Sequence, residues 1–192
     1  MRINSPPTKR CDVATSSTKL LTFAEFEQLP DDPRGWPLEL FRGEVRALAP
    51  PKHDHYKIQL RLMKLLDRAA GETGEVGIEM GYRPVPDHEY WYPDVAFLSR
   101  ERWDAVPDKG NIQGPPELVV EVLSPSNTVA EISYKKELCL ENGAREFWQV
   151  NIERKRIEVS TADGHSVTYK SGQQVPLFFA PGKTLAIDEV FG

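Results

Sequence analysis

Tyr92-Pro93-Asp94-Val95-Ala96-Phe97-Leu98 and Pro116-Glu117-Leu118-Val119-Val120-Glu121-Val122-Leu123, followed by a helix that carries Lys135 and Lys136, decide how this chain folds. Both runs are rich in β-forming residues and bounded by turn formers, the second by Ser124-Pro125-Ser126-Asn127, so both read as strands. On the second strand the side chains at 117, 119 and 121 share one face, and those at 118, 120 and 122 share the other. Both faces are therefore apolar around Glu121, the pattern of a strand in the middle of a sheet. A carboxylate there is costly unless a cation pairs with it or coordinates to it. Asp94 raises the same demand at the start of the neighbouring strand. Two acids on adjacent buried strands repel each other, and a divalent cation between them or a lysine close by relieves the repulsion.

Upstream, residues 1–18 are polar, aperiodic and rich in Ser, Thr and Pro, which predicts a disordered leader ahead of one domain over 19–192. Thr22, with Glu25 three positions on, forms a capping-box pattern for a short helix over 23–29 that Pro30 stops. Leu38-Glu39-Leu40-Phe41 and Glu44-Val45-Arg46-Ala47-Leu48 flank Arg42-Gly43, the pattern of a tight hairpin. After Pro50-Pro51, with Asp54 as the expected cap, apolar residues recur at helical spacing over 55–70. Lys57, Arg61, Lys64 and Arg68 remain on the other side of that helix, as a phosphate-facing surface or a plain solvated face.

Gly71 and Gly74 end the helix, and 75–85 reads as a strand. Asp87-His88-Glu89 turns it into the strand over 92–98, making a second hairpin. A polar loop over 99–115, with one helical turn near Glu101-Arg102-Trp103, leads to the strand over 117–123. A helix opens at Asn127 or Thr128 and ends at Asn142-Gly143. Strands follow at 146–151, 156–160 and 166–169, with a last short edge element over 182–187. This order predicts an α/β (α+β) architecture, a mixed β-sheet flanked by helices.

A net charge of −5 gives no overall attraction to a polyanion, so nucleic-acid binding would have to use a local basic patch or metal ions. Cys11 and Cys139 are the only cysteines, which argues against a disulfide framework and fits a reducing compartment. No apolar run is long enough to span a membrane and the N-terminus lacks the apolar core of a signal peptide, so a cytoplasmic protein without membrane attachment is expected.

The motifs Pro93-Asp94-Val95-Ala96-Phe97, then Pro116 to Ser126, then Lys135 followed by Asn142-Gly143-Ala144-Arg145-Glu146-Phe147-Trp148, resemble the Uma family of restriction endonucleases, within the PD-(D/E)XK nuclease superfamily. The hairpin Leu38-Glu39-Leu40-Phe41-Arg42-Gly43-Glu44 and His55 are similar to that family as well, so the resemblance covers roughly residues 20–190. It implies a restriction-endonuclease-like core, with an N-terminal hairpin and C-terminal antiparallel strands. It also implies a metal-dependent endonuclease hydrolysing phosphodiester bonds in nucleic acid, DNA in particular.

Carried over residue by residue, Asp94 and Glu121 would hold Mg²⁺ or Mn²⁺, because a hard cation prefers carboxylate oxygens. A lysine would offset charge in the transition state. The superfamily places it two residues after the second acid, where this chain has Leu123; the resemblance moves it to the following helix, at Lys135. Helical geometry puts Lys136 nearer the centre of the stripe of Ile132, Cys139 and Leu140 and Lys135 at its edge, where a side chain can reach a cleft, so Lys135 is kept and Lys136 stands as the alternative. Glu39 and Glu44 read first as hairpin charges and His55 as a helix-start residue, with a supporting role at the metal site as the alternative for each. Four histidines without a zinc-like spacing leave no zinc site. Asp94, Glu121 and Lys135 are thus expected to converge on one cleft.

Two rival readings stand beside this one. The acidic balance and displaced lysine suit a nuclease-fold binding or regulatory module that does not cleave. In the other, Lys135 alone neutralises Glu121 in a purely structural domain. The apolar run Val175-Pro176-Leu177-Phe178-Phe179, with Phe147, Trp148 and Phe191, suggests a homodimer interface, or else simply covers the sheet of its own subunit.

Overall fold

The fold is seen in a computed structural model that describes residues 20–125 and 127–192; the leader expected over 1–18 lies outside them. In chain order, Phe23–Phe26 is helix α1, Leu38–Phe41 and Glu44–Ala47 are strands β1 and β2, and His53–Ala70 is α2. Gly74–Gly77 is β3, Tyr82–Arg83 is β4, Val95–Ser99 is β5, Arg100–Asp104 is α3, Ile112–Gln113 is β6 and Leu118–Val122 is β7. Val129–Glu141 is α4, and Glu146–Asn151, Arg156–Thr161 and Ser166–Lys170 are β8, β9 and β10. Gln174–Pro176 and Thr184–Ala186 are β11 and β12, and Ile187–Phe191 is α5.

Six strands form the main sheet in the order β10-β9-β8-β7-β5-β3, so the strand carrying Glu121 lies in its interior. β7 and β8 are parallel, with α4 between them in the chain, and the remaining pairs are antiparallel. The alternation read from the sequence sorts the core. Leu118, Val120 and Val122 pack with Leu62 and Leu66 of α2, while Val119 packs with Phe147 and with Ile132 and Cys139 of α4. Glu121 shares the face of Val119 and so points toward α4.

Local signals account for most element boundaries. The Thr22 hydroxyl accepts from Glu25 N–H at 3.3 Å and Glu25 Oε2 accepts from Thr22 N–H at 2.9 Å, completing the capping box of α1. Thr128 caps α4 by accepting from Glu131 N–H at 3.1 Å, and Asn142 closes that helix.

Several elements differ from the sequence reading: α1 ends at Phe26 instead of 29, and β6 lies inside the loop expected over 99–115. α2 starts at His53 with Lys52 as its N-cap residue, and Asp54, the expected cap, lies inside the first turn. The strand expected over 75–85 breaks after Gly77, because Glu79 adopts φ 53° and its N–H donates to Pro93 O at 3.0 Å; the chain resumes as β4, which pairs with β6. The C-terminal edge element is β12, paired with β11 in a separate ribbon, and α5 follows it.

The C-terminal aromatics serve their own subunit. Val175, Leu177 and Phe179 are buried with α2 and the sheet, and the Phe179 ring stacks on Phe97 at 4.2 Å between centroids. Phe178 is half-buried beneath the Arg145 guanidinium, at 4.5 Å. The apolar run over 175–179, part of the 175–191 segment expected to supply a dimer interface, is therefore mostly interior. Phe179→Ala should lower the unfolding free energy by about 3–5 kcal/mol in urea denaturation, the usual range for removing a core aromatic. A loss below about 1 kcal/mol would contradict this packing.

Candidate active site

Register brings the two strand acids together. Val95 pairs with Val120 and Ala96 with Val119, so one further step of the same ladder sets Asp94 opposite Glu121. The ladder stops there, and the Asp94 side chain takes over: its Oδ2 accepts from Val122 N–H at 2.6 Å. Two polar side chains one turn apart on α2 fix the rest of Asp94. His55 Nε2 lies 2.7 Å from Asp94 Oδ1, and Gln59 Nε2 donates to the Asp94 carbonyl at 2.9 Å.

Across the cleft, Lys135 is buried, with its Nζ 3.1 Å from Glu39 Oε1 and 3.3 Å from Glu121 Oε1. Glu39 comes from β1, which is tied down by reciprocal backbone hydrogen bonds between Leu40 and Tyr90, both at 2.9 Å. Buried Glu89 secures the same hairpin: it accepts from Arg42 N–H, the Trp91 indole N–H and the Tyr134 hydroxyl. Glu39, His55, Asp94, Glu121 and Lys135 line one cleft of about 880 Å³, together with Trp36.

The charges in this cleft do not balance. Burial works against the Lys135 ammonium, but the Glu121 and Glu39 carboxylates outweigh it and hold its pKa above that of an ordinary lysine. The deficit falls on the acids. Burial pushes the Glu121 carboxyl up to about 7; Lys135 pulls it down, while Asp94 and Glu39 push it further up. Burial likewise raises Glu39 against the pull of Lys135. The two sets of shifts agree physically, since one ammonium shared among several carboxylates stays charged while the carboxylates compete for it. Burial opposes a charge on His55, but its hydrogen bond to Asp94 and the neighbouring negative charges prevail, so its pKa rises.

The sequence-derived candidates separate clearly. Asp94, Glu121, Lys135, Glu39 and His55 meet at the cleft, whereas Glu44 is exposed on β2 and does not line it. The stripe of α4 runs through Ile132, Lys135 and Cys139, which puts Lys135 at its buried centre and corrects the edge position expected from helical arithmetic. Lys136 lines a shallower depression beside Ser160 and His165 instead. Gln59 escaped the sequence reading; a fully buried amide on the Ile58–Leu62–Leu66 stripe was its one signal. Trp36 escaped because it sits in a Pro/Gly loop.

The mixed sheet with its flanking helices is a restriction-endonuclease-like fold. The chain belongs to the Uma2 family, described as "Putative restriction endonuclease", which matches residues 23–191. A solved structure described as "a putative nuclease belonging to DUF820", from Anabaena variabilis, superposes with a TM-score of 0.76 at 19% identity, covering 89% of this chain and 97% of that one. That likeness establishes the shared fold. No curated protein matches the chain. Among the described residues no helix is long and apolar enough to cross a membrane.

The raised Glu121 carboxyl has a consequence for stability. An unfolded glutamate titrates near 4.5 and this one near 7, so between those values the folded chain binds more protons and stability falls as pH rises. Without metal, the melting temperature of the wild type should therefore drop from about pH 5 to about pH 7, and Glu121→Gln should flatten that slope. Equal slopes in the two proteins would contradict the assignment.

Proposed function

We propose that this chain is a metal-dependent endonuclease that hydrolyses phosphodiester bonds in nucleic acid, DNA in particular, and acts in the cytoplasm. The observation that carries the reading is the meeting of Asp94, Glu121 and Lys135 in one cleft, with Asp94 opposite Glu121 by register. The donor chemistry fits Mg²⁺ or Mn²⁺: two carboxylates supply hard oxygens, and the raised Glu121 carboxyl marks an excess of negative charge that a divalent cation would relieve. Among the described residues no three His, Cys, Asp or Glu side chains form a ready-made ligand set, so Asp94 and Glu121 are the protein donors we assign. When bound, such an ion polarises the phosphate and makes a bound water more acidic.

The chain's own residues do the rest. His55 and Gln59 orient Asp94, one through its carboxylate and the other through its backbone carbonyl. Glu39 steadies Lys135 from the hairpin, so the ammonium faces the cleft at a fixed position where it offsets charge growing on phosphoryl oxygens. On the α2 surface, Lys57, Lys64 and Arg68 are exposed and available to phosphates, while Arg61 donates to Val190 O at 3.3 Å.

A second reading, a nuclease-fold module that binds without cleaving, is favoured by one feature: the Lys135 ammonium is engaged by two carboxylates at once. Cleavage separates the two. With Mn²⁺, the wild type should cut labelled DNA, EDTA should stop it, and Asp94→Ala should lower the rate by more than about 100-fold, because even partners behind a metal ligand are worth about 10–100-fold. Metal-dependent binding of DNA without any cleavage would select the second reading, and equal rates in wild type and Asp94→Ala would remove Asp94 from the site.

A further inference from the structure

Part of the cleft lining is apolar, and its largest member there has no role in the core. Trp91 and Trp148 are fully buried within the hydrophobic clusters of the sheet, whereas Trp36 is half-buried, belongs to none of those clusters and lines the cleft beside Pro37, Leu48 and Pro50. An indole that stabilises no core yet borders a site is explained by what enters the site.

The loop that carries Trp36 holds the ring firmly. The Arg34 guanidinium lies over one face of the indole, 3.8 Å from its centroid. Asp32 fixes that guanidinium in a two-point grip, with Nε at 2.9 Å from Oδ1 and Nη2 at 2.8 Å from Oδ2, and it also accepts from Arg34 N–H at 2.9 Å. Gly35 adopts φ +71° with nothing within 4 Å of a built Cβ, so glycine is needed there for backbone conformation, not for room. Leu48 N–H donates to Pro37 O at 2.9 Å and ties the far side of the loop to the end of β2. Among the described residues no second ring or cation stacks on the indole.

We propose that Trp36 is a stacking platform for one unpaired base of the bound strand, so that the cleft takes single-stranded in preference to duplex nucleic acid. The proposal rests on the nuclease reading for the identity of the ligand and deepens it by naming the form of the substrate. A flat aromatic ring that lines a cleft, with one face covered by a guanidinium that does not itself line it, can stack a base on its other face without reading sequence, since every base has a π-face. In a duplex each base is already covered by its neighbours, and only a base taken out of the stack offers a face to an indole. The cleft, about 880 Å³, is within the range of small-ligand sites, so it admits a short stretch of one strand. The chain's net charge of −5 leaves little electrostatic gain for wrapping a duplex, which makes stacking the more valuable contribution.

The test uses the full chain and a fluorescein-labelled oligonucleotide of low self-complementarity, alone or annealed to its complement. Binding is measured by anisotropy with Ca²⁺, and cleavage in parallel with Mn²⁺. The wild type should bind the single strand more tightly than the duplex. Trp36→Ala should weaken single-strand binding by about 5- to 150-fold, the loss usual for one stacked base, while Trp36→Phe should recover most of it. Because Trp36 is outside the core, both variants should melt within a few degrees of the wild type.

Single-strand affinity unchanged in Trp36→Ala, tighter duplex binding by the wild type, or no binding of either form would each overturn the proposal. The nuclease reading succeeds or fails separately. Trp36-dependent binding without Mn²⁺-dependent cleavage supports the stacking platform and counts against hydrolysis. Cleavage with binding indifferent to Trp36 does the reverse.

Discussion

The structure depends on a buried ammonium shared by carboxylates from two other elements. Lys135 of α4 reaches Glu39 of β1, 96 residues away in sequence, and Glu121 of β7, 14 residues away, three residues on three different elements. Charged groups enter a protein interior only when paired, and removing one partner leaves an uncompensated charge that is far more costly than the pair. The contact therefore joins hairpin, sheet and helix at one point. It leaves an excess of negative charge there, because Asp94 stands beside the same group.

That excess links packing to function. A core designed only for stability would fill the position of Glu121 with another valine, as its neighbours Val119, Val120 and Val122 do. An acid held in the middle of a sheet, with its carboxyl driven upward by burial and by other acids, is a group whose ionised form calls for a cation. A polyanion meeting the cleft would be repelled by these acids and a bound cation would offset that repulsion, so the proposed nuclease reading couples nucleic-acid binding to metal in a chain of net charge −5. Under that reading the exposed Lys57, Lys64 and Arg68 on α2 would supply peripheral phosphate contacts.

Much of the fold was legible because its signals are local and redundant. Strand periodicity around Glu121, the capping box at Thr22, the Arg42-Gly43 hairpin and the Asn142-Gly143 stop all read directly from residue types. The lysine was harder. The apolar residues Ile132, Cys139 and Leu140 centre the helix stripe near Lys136, because a lysine buried by its ion pairs carries no apolar signal of its own. The broken strand after Gly77 depends on a left-handed Glu79, which composition does not announce, and five-residue α5 is too short to show a period. Asp94 and Glu121 could be paired from sequence as a demand for a partner; that His55 and Gln59 meet that demand required the approach of α2 to the end of β5.

The most direct test of the account is a crystal structure of the chain grown with Mn²⁺, using the ion's anomalous signal. The account predicts a peak in the cleft within coordination distance of both the Asp94 and Glu121 carboxylates, at about 2.0–2.6 Å as for hard cations on oxygen. An empty cleft at saturating Mn²⁺, or a peak that touches neither carboxylate, would contradict it.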